Sequence, residues 1–318
     1  MERWYGLNDV VRGEPAVAIG VFDGVHRGHR VLLRRARADA RARGERCVAL
    51  TFDPNPAEVV QPQPPTRLST LAQRLDLLEW IGVDVALVLP FDAEVAAMEP
   101  EDFIDQILVG ALGTRLVVVG ENFRFGSRAR GDVAMLRQLG GSAGVEVDAV
   151  PLLQQRLVGR GDKPLSSTEI CACVAAGDVA AAGRGLARPH RVEGRVVRGA
   201  QRGRDLGFPT ANVFPTPLAA VPAEAVYAGR LVVSPYGDVE QSFPAAISVG
   251  SNPTFQGDQL TVEAYAIDAP ADLDLYDRMV AVDFVGRLRR QQKFTSAEKL
   301  VAQMTRDVEL ARDYLGLR

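Results

Sequence analysis

The sequence is poor in the features of a secreted or membrane-embedded chain. It has three cysteines, Cys47, Cys171 and Cys173, in 318 residues, too few and too odd a number for a disulfide scaffold. The only Asn-x-Thr triplet, at Asn252, is blocked by Pro253. The opening Met1-Glu2-Arg3-Trp4-Tyr5 has no basic stretch followed by an apolar one, so no signal peptide is expected. The longest mostly apolar run, Ile81 to Phe91, is broken by Asp84 and is too short to cross a bilayer. These absences predict a cytoplasmic protein. A net charge of −3 offers no bulk attraction for nucleic acid or an anionic membrane, and neither partner is expected. Lysine is nearly missing (Lys163, Lys293, Lys299), so phosphate-contacting positions must fall largely to arginine. Neither common nucleotide loop is present. There is no G-x-x-x-x-G-K-[ST], and Gly159-Arg160-Gly161 and Gly183-Arg184-Gly185 both lack the third glycine of G-x-G-x-x-G.

What is present is ordinary globular material, 47% hydrophobic and 24% charged, which argues against long disorder. The length favours two domains. Up to about residue 150, β-rich runs (Ala16–Val21, Cys47–Phe52, Val83–Leu89, Leu116–Val119, Val145–Val150) alternate with helical patterns (Arg30–Arg43, Leu71–Ile81, Asp102–Leu112, Val133–Leu139). That alternation predicts βαβ units around a parallel sheet, with ligands beyond the C-terminal strand ends. Ser166-Ser167-Thr168-Glu169 reads as a capping box opening a short helix. From about Arg188 the runs Arg191–Val197, Gly229–Val233, Ala245–Val249, Thr261–Ile267 and Met279–Phe284 are separated by Gly/Pro turns, which predicts a small antiparallel barrel or sandwich. A second capping box at Thr295 opens a last helix running to about Leu315. The expected domains are therefore 1–187, α/β, and 188–318, β with a terminal helix. No repeat is visible, and a homo-oligomer stays open.

The first chemical cluster, Gly20 to His29, follows the first predicted strand. Its glycines let backbone approach a ligand, and the following helix start offers free amides to phosphate. His26 and His29 share one helical face and can donate to phosphate oxygens as charge develops on them. Alternatives are a two-histidine metal pair, with no third ligand nearby, and plain turn or core histidines. A basic helix follows, with eight arginines between Arg27 and Arg46. It lacks interleaved aromatics and reads as a solvent-facing helix beside a triphosphate site.

These residues resemble the H-x-G-H nucleotidyltransferases, and more closely the prokaryotic bifunctional riboflavin kinase/FMN adenylyltransferases. Thr51-Phe52-Asp53-Pro54-Asn55-Pro56, Gly120-Glu121-Asn122-Phe123-Arg124-Phe125-Gly126 and Ser166-Ser167-Thr168-Glu169-Ile170 are similar to three further segments of that family, in order. The resemblance implies a Rossmann-like nucleotidyltransferase domain. His26 and His29 would be catalytic. Gly20, Phe22, Asp23, Gly24, Gly28, Ser167 and Thr168 would bind nucleotide, and Asn122, Phe123, Arg124 and Phe125 would bind flavin. Two positions depart from the pattern: Asn55 stands where the family has His, and Cys171 where it has Arg. Losing one charge-assisted hydrogen bond costs roughly 1.5–3 kcal/mol.

The second cluster runs from Gly194 to Val213, a Gly- and Arg-rich turn leading to Pro209-Thr210-Ala211-Asn212. Guanidinium groups and free amides suit diphosphate oxygens. Thr210 and Asn212 alternate along an extended segment, so they face one side, and their neutral oxygens suit Mg2+ already carrying phosphate. A solvated arginine face is the plain alternative. The stretch resembles the riboflavin kinase signature almost letter for letter. That implies a six-stranded Greek-key barrel, nucleotide contacts at Gly203, Arg204 and Gly207, Mg2+ at Thr210 and Asn212, and Glu263 as general base on the ribityl hydroxyl.

The expected function is ATP-dependent phosphorylation of riboflavin to FMN and adenylylation of FMN to FAD. A second expectation keeps the kinase and gives the first half another acceptor or nucleotide, because of Asn55 and Cys171. A third is a non-catalytic flavin or nucleotide binder.

Overall fold

A computed structural model describes residues 1–154, 157, 163–198, 206–235, 240–251, 260–270 and 273–317. The chain divides into two compact units. One holds most of residues 1–166; the other takes Ser167 onward together with Thr66–Thr70.

The first unit is a six-stranded sheet of order β1-β4-β3-β2-β5-β6, formed by β1 (Glu2–Tyr5), β2 (Ala16–Ile19), β3 (Cys47–Asp53), β4 (Val85–Pro90), β5 (Leu116–Gly120) and β6 (Glu146–Val150). All its pairings are parallel. Parallel sheets are covered on both faces, and their strands read as unbroken apolar runs. In β2 (Ala-Val-Ala-Ile) every side chain is buried. Val17 and Ile19 enter one core with the helix Phe103–Ala111, while Ala16 and Ala18 enter the other with the helices Arg27–Arg43 and Leu71–Ile81. Strand order reverses at β2, which has β3 on one side and β5 on the other. In open α/β sheets, ligands bind in the crevice at such a switch point.

The second unit is a closed barrel of order β10-β11-β8-β7-β12-β9. Its strands are β7 (His190–Val197), β8 (Ala211–Pro215), β9 (Ala225–Val233), β10 (Gln241–Ser251), β11 (Leu260–Ala266) and β12 (Met279–Arg290). Every neighbour is antiparallel. Alternate residues such as Val213, Ile247, Val262, Ala264 and Phe284 fill the interior. A smaller core forms outside it, where Ala228, Ala246, Tyr265 and Leu288 meet Val308 and Ala311 of the terminal helix, Ala297–Tyr314. Thr66–Thr70 is stitched to the same unit. Arg67 N donates to Leu218 O (2.7 Å), Arg67 O accepts from Ala220 N (2.9 Å) and Thr70 Oγ1 donates to the Glu193 carboxylate (3.0 Å).

Several elements differ from the sequence expectation. β1 was not expected: only Trp4 of its four residues is buried, so it carries no readable alternation. The first helix starts at Arg27, three residues early, because the His26 ring serves as its cap, accepting from His29 N. The terminal helix is capped by Ser296, not Thr295, with Ser296 Oγ accepting from Lys299 N. Among the described residues no helix is long and apolar enough to cross a membrane.

Candidate active sites

The first site is built on the C-terminal ends of β2, β3 and β5. Between β2 and its helix the chain makes a tight turn with left-handed residues at Phe22 (φ 53), Gly24 (φ 69) and Val25 (φ 39). Such a backbone is costly for a β-branched residue and persists only where its surroundings over-determine it. They do so here. Phe22 is fully buried, Thr51 Oγ1 donates to Val21 O (2.9 Å), and Arg30 Nε donates to Val25 O (3.2 Å). The turn delivers His26 and His29 as a stacked pair, ring centroids 3.6 Å apart and 18° from parallel. Gly28 makes room for this, since a Cβ there would lie 3.1 Å from the His26 ring. His26 Nδ1 accepts from His29 N, so a neutral His26 ring carries its proton on Nε2. Burial, then the neighbouring His26 and Arg74, hold the His29 pKa well below the usual histidine range, which keeps that ring neutral. Among the described residues, the buried His29 Nδ1 has no hydrogen-bond partner. Among the described residues, no three His, Cys, Asp or Glu side chains are grouped to hold a metal ion.

Arg74, on the helix Leu71–Ile81, is the residue that sequence reading missed. It is 1% exposed, and its Nη1 donates to Thr51 Oγ1 (3.1 Å) and Phe52 O (2.8 Å). Together with the Thr51–Val21 bond it links the β3 end to the β2 turn. Only its place on the buried face of an amphipathic helix hinted at it. Asn55, after a cis Asp53–Pro54 bond, caps the short helix Pro56–Val60 by accepting from Ala57 N (3.0 Å).

After β5, Phe123 and Phe125 stack (5.6 Å, 10°), and Phe125 also packs on Phe103 in the core. Phe123 and Arg124 line a cavity of about 400 Å³ with Glu121, Asp132, Val133 and Arg137. Arg124 pairs with Asp132 at 3.5 Å, and Asn122 is exposed at the turn. Gly20, Phe22, Asp23, Gly24, Gly28, His26 and His29 thus lie on one side of the switch point, and Asn122 to Phe125 on the other. Ser167 and Thr168 open the helix Ser167–Ala175, which belongs to the second unit. In that helix Cys171 Sγ donates to Thr66 O at 3.6 Å. The arginines of the first helix are largely engaged: Arg35 with Asp148, Arg43 with Glu146 and Arg37 with Ile81 O.

The second site lies on the barrel. Val262 and Ala264 point into its core, so Glu263 between them faces outward. Ladder register sets Glu263 opposite Asn212 of β8 and Ser248 of β10. Thr210, Asn212 and Glu263 line a cavity of about 1040 Å³. This is at the upper end of small-molecule sites, roughly 300–1,000 Å³. Leu273–Tyr276 and, from the terminal helix and the segment before it, Phe294, Leu300, Met304, Asp307 and Val308 also line it. Phe208 packs edge-on against Tyr265 (5.3 Å), and Gly207 turns the chain with φ 82 beside open space. Gly203 and Arg204 lie outside the described residues.

Two family models match the chain: FAD synthetase over residues 10–168 and riboflavin kinase over residues 186–315. The bifunctional riboflavin kinase/FMN adenylyltransferase of Escherichia coli (strain K12) is 35% identical over 302 residues, covering 95% of this chain and 93% of its own. The Pseudomonas fluorescens protein of the same name is 36% identical over 297 residues, covering 92% and 91%. That of Bacillus subtilis (strain 168) is 30% identical over 311 residues, covering 96% and 94%. Among solved structures, a protein from Streptococcus pneumoniae named as a macrolide-efflux protein superposes with a TM-score of 0.85 at 29% identity, covering 98% of this chain and 99% of that one.

Proposed function

The chain belongs to the family of bifunctional riboflavin kinase/FMN adenylyltransferases, and from that membership we propose how each unit performs one of the two reactions. The second unit transfers the γ-phosphoryl group of ATP to the ribityl 5′-hydroxyl of riboflavin, giving FMN and ADP. The first transfers the AMP moiety of ATP to FMN, giving FAD and pyrophosphate. The observation that carries the kinase reading is the placement of Glu263 opposite Asn212, with Thr210, in one large cavity.

In the kinase step the hydroxyl oxygen bonds to the γ-phosphorus, the bridging P–O bond breaks towards ADP, and the Glu263 carboxylate takes the hydroxyl proton. Such a step depends mostly on positioning and charge stabilisation. Thr210 and Asn212 offer neutral oxygens on one side of an extended segment, which fits the magnesium ion that arrives with the ATP phosphates. Arg198, whose guanidinium lies 5.3 Å from the Tyr276 ring, borders the same region.

In the adenylyl step a phosphate oxygen of FMN bonds to the α-phosphorus of ATP, and pyrophosphate leaves. His26, with its Nε2 proton, and neutral His29 would donate to phosphate oxygens without taking part in bond formation. The turn amides and the helix start add further donors. Phe123 and Arg124 would hold the flavin end in the cavity beyond β5. Three unbridged thiols and ATP as co-substrate support a cytoplasmic setting.

Incubation of the purified protein with riboflavin, ATP and Mg2+, followed by chromatography, tests both halves. The expected products are FMN and then FAD. Absence of FMN would overturn the kinase assignment, and FMN that never proceeds to FAD would overturn the other.

A further inference from the structure

One wall of the large cavity has no part in phosphoryl chemistry: the terminal helix. Leu300, Met304 and Val308 recur at four-residue spacing and line the cavity, with Phe294 just before the helix. Thr210, Asn212 and Glu263 line the same cavity. The cavity lining therefore combines an apolar stripe with phosphate-handling groups, which suits a molecule with a flat aromatic end and a polar hydroxyl tail.

The terminal helix is tied to β12 by a buried ion pair. Arg289 Nε donates to Asp307 Oδ1 (2.8 Å) and Arg289 Nη2 to Asp307 Oδ2 (2.7 Å). Gln303 Nε2 adds a third bond to Asp307 Oδ1 at 2.9 Å, and Asp307 is only 4% exposed. The Arg289 guanidinium also sits 5.9 Å from the Phe294 ring. Arg289 follows an irregularity in the β12–β9 ladder between Arg287 and Arg289, the kind of bulge that re-aims a side chain. A buried ion pair is weak evidence for stability, and its best attested use is to fix register.

We propose that Arg289 and Asp307 are positioning residues for the flavin: their two-pronged pair locks the terminal helix in one register against β12 and so sets the width of the slot that receives the riboflavin ring. The inference rests on the kinase assignment of this cavity. Their effect is on flavin binding, exerted through Leu300, Met304 and Phe294.

Steady-state kinetics on the full-length protein tests this. Asp307→Asn keeps the shape and the acceptor for Gln303 but removes the charge. Its KM for riboflavin should rise about ten-fold, with kcat and the KM for ATP within about two-fold of the parent. Arg289→Lys keeps the charge but loses the fork, and should fall between parent and Asp307→Asn. Far-UV circular dichroism and the thermal transition of the barrel unit report whether each variant is folded, since the other unit has its own core. An unmoved riboflavin KM in both variants overturns the proposal, as does a fall in kcat with riboflavin KM unchanged. Should Asp307→Asn fail to fold, Arg289→Lys decides by the same two readings. A parent protein that forms no FMN overturns the kinase assignment itself, an outcome separate from these.

Discussion

Replacing Glu263 by Gln removes a proton acceptor and little volume. Its neighbours on the strand, Val262 and Ala264, keep the barrel core intact. FMN formation by Glu263→Gln should fall by about 10²–10⁴-fold, the usual scale of a general base. Conversion of supplied FMN to FAD should be unchanged, and parallel assays of the two reactions check it. His190 supplies a pH test at the same scale. It is 1% exposed, its Nε2 donates to Ala220 O at 2.6 Å, and burial lowers its pKa to about 4. Its folded pKa lies below that of the unfolded chain, so between pH 6.5 and 4 the unfolded state binds more protons. Stability is therefore lost as pH falls through that window, by up to roughly 3 kcal/mol. Urea midpoints of the parent and of His190→Gln at pH 7 and 4.5 should show a smaller drop in the variant, whose side-chain amide can still donate to Ala220 O. His29 behaves in the same sense. Its ring stays neutral below the ordinary histidine range, so adenylyl transfer should show no loss from His29 protonation between pH 8 and 6.5.

At the scale of elements, the turn after β2 has a natural reporter. Trp80 is 67% exposed with the Arg30 guanidinium 5.1 Å from its ring, and Arg30 bonds to Val25 O in the turn. Trp4, the other indole, is buried. ATP binding at the turn should shift the emission of Trp80, and the shift should vanish in Trp80→Phe while activity remains. The turn itself was legible in the sequence because glycine and histidine spacing encode it locally. The βαβ alternation was legible for the same reason, since strands buried on both faces are apolar runs between amphipathic helices. β1 was not legible, being a short edge strand with one buried side chain. β8 reads only as an extended segment, because an exposed apolar Phe214 at an outward position breaks the apolar/polar alternation. Arg74 stayed hidden because a guanidinium at 1% exposure contradicts every surface expectation for arginine. The ion pair of Arg289 with Asp307 could not be seen either, since strand and helix meet only through tertiary packing.

For the whole molecule, each unit has its own core and its own cavity. A mixture of Glu263→Gln and His29→Gln should therefore make FAD from riboflavin. FMN released by the second variant serves the first. Chromatography of the mixture against each variant alone is the check, and failure of the mixture would show that FMN is not exchanged through solution. The excursion of Thr66–Thr70 into the second unit gives another expectation. A fragment starting at Ser167 lacks the Arg67–Ala220 and Thr70–Glu193 bonds, and should melt several degrees below the corresponding transition of the full chain.

The strand arrangement also bears on how the protein behaves at high concentration. The barrel closes through β9 and β10, so each of its six strands has a partner on both sides. The sheet of the first unit ends in β1 and β6, and both ends carry charge tied to neighbours: Glu2 to Arg46, Arg3 to Asp76 and Glu79, Glu146 to Arg43, and Asp148 to Arg35. An incoming strand from another copy would have to displace these pairs before it could zip on. Neutralising those margins would remove that obstacle to edge-to-edge pairing between copies.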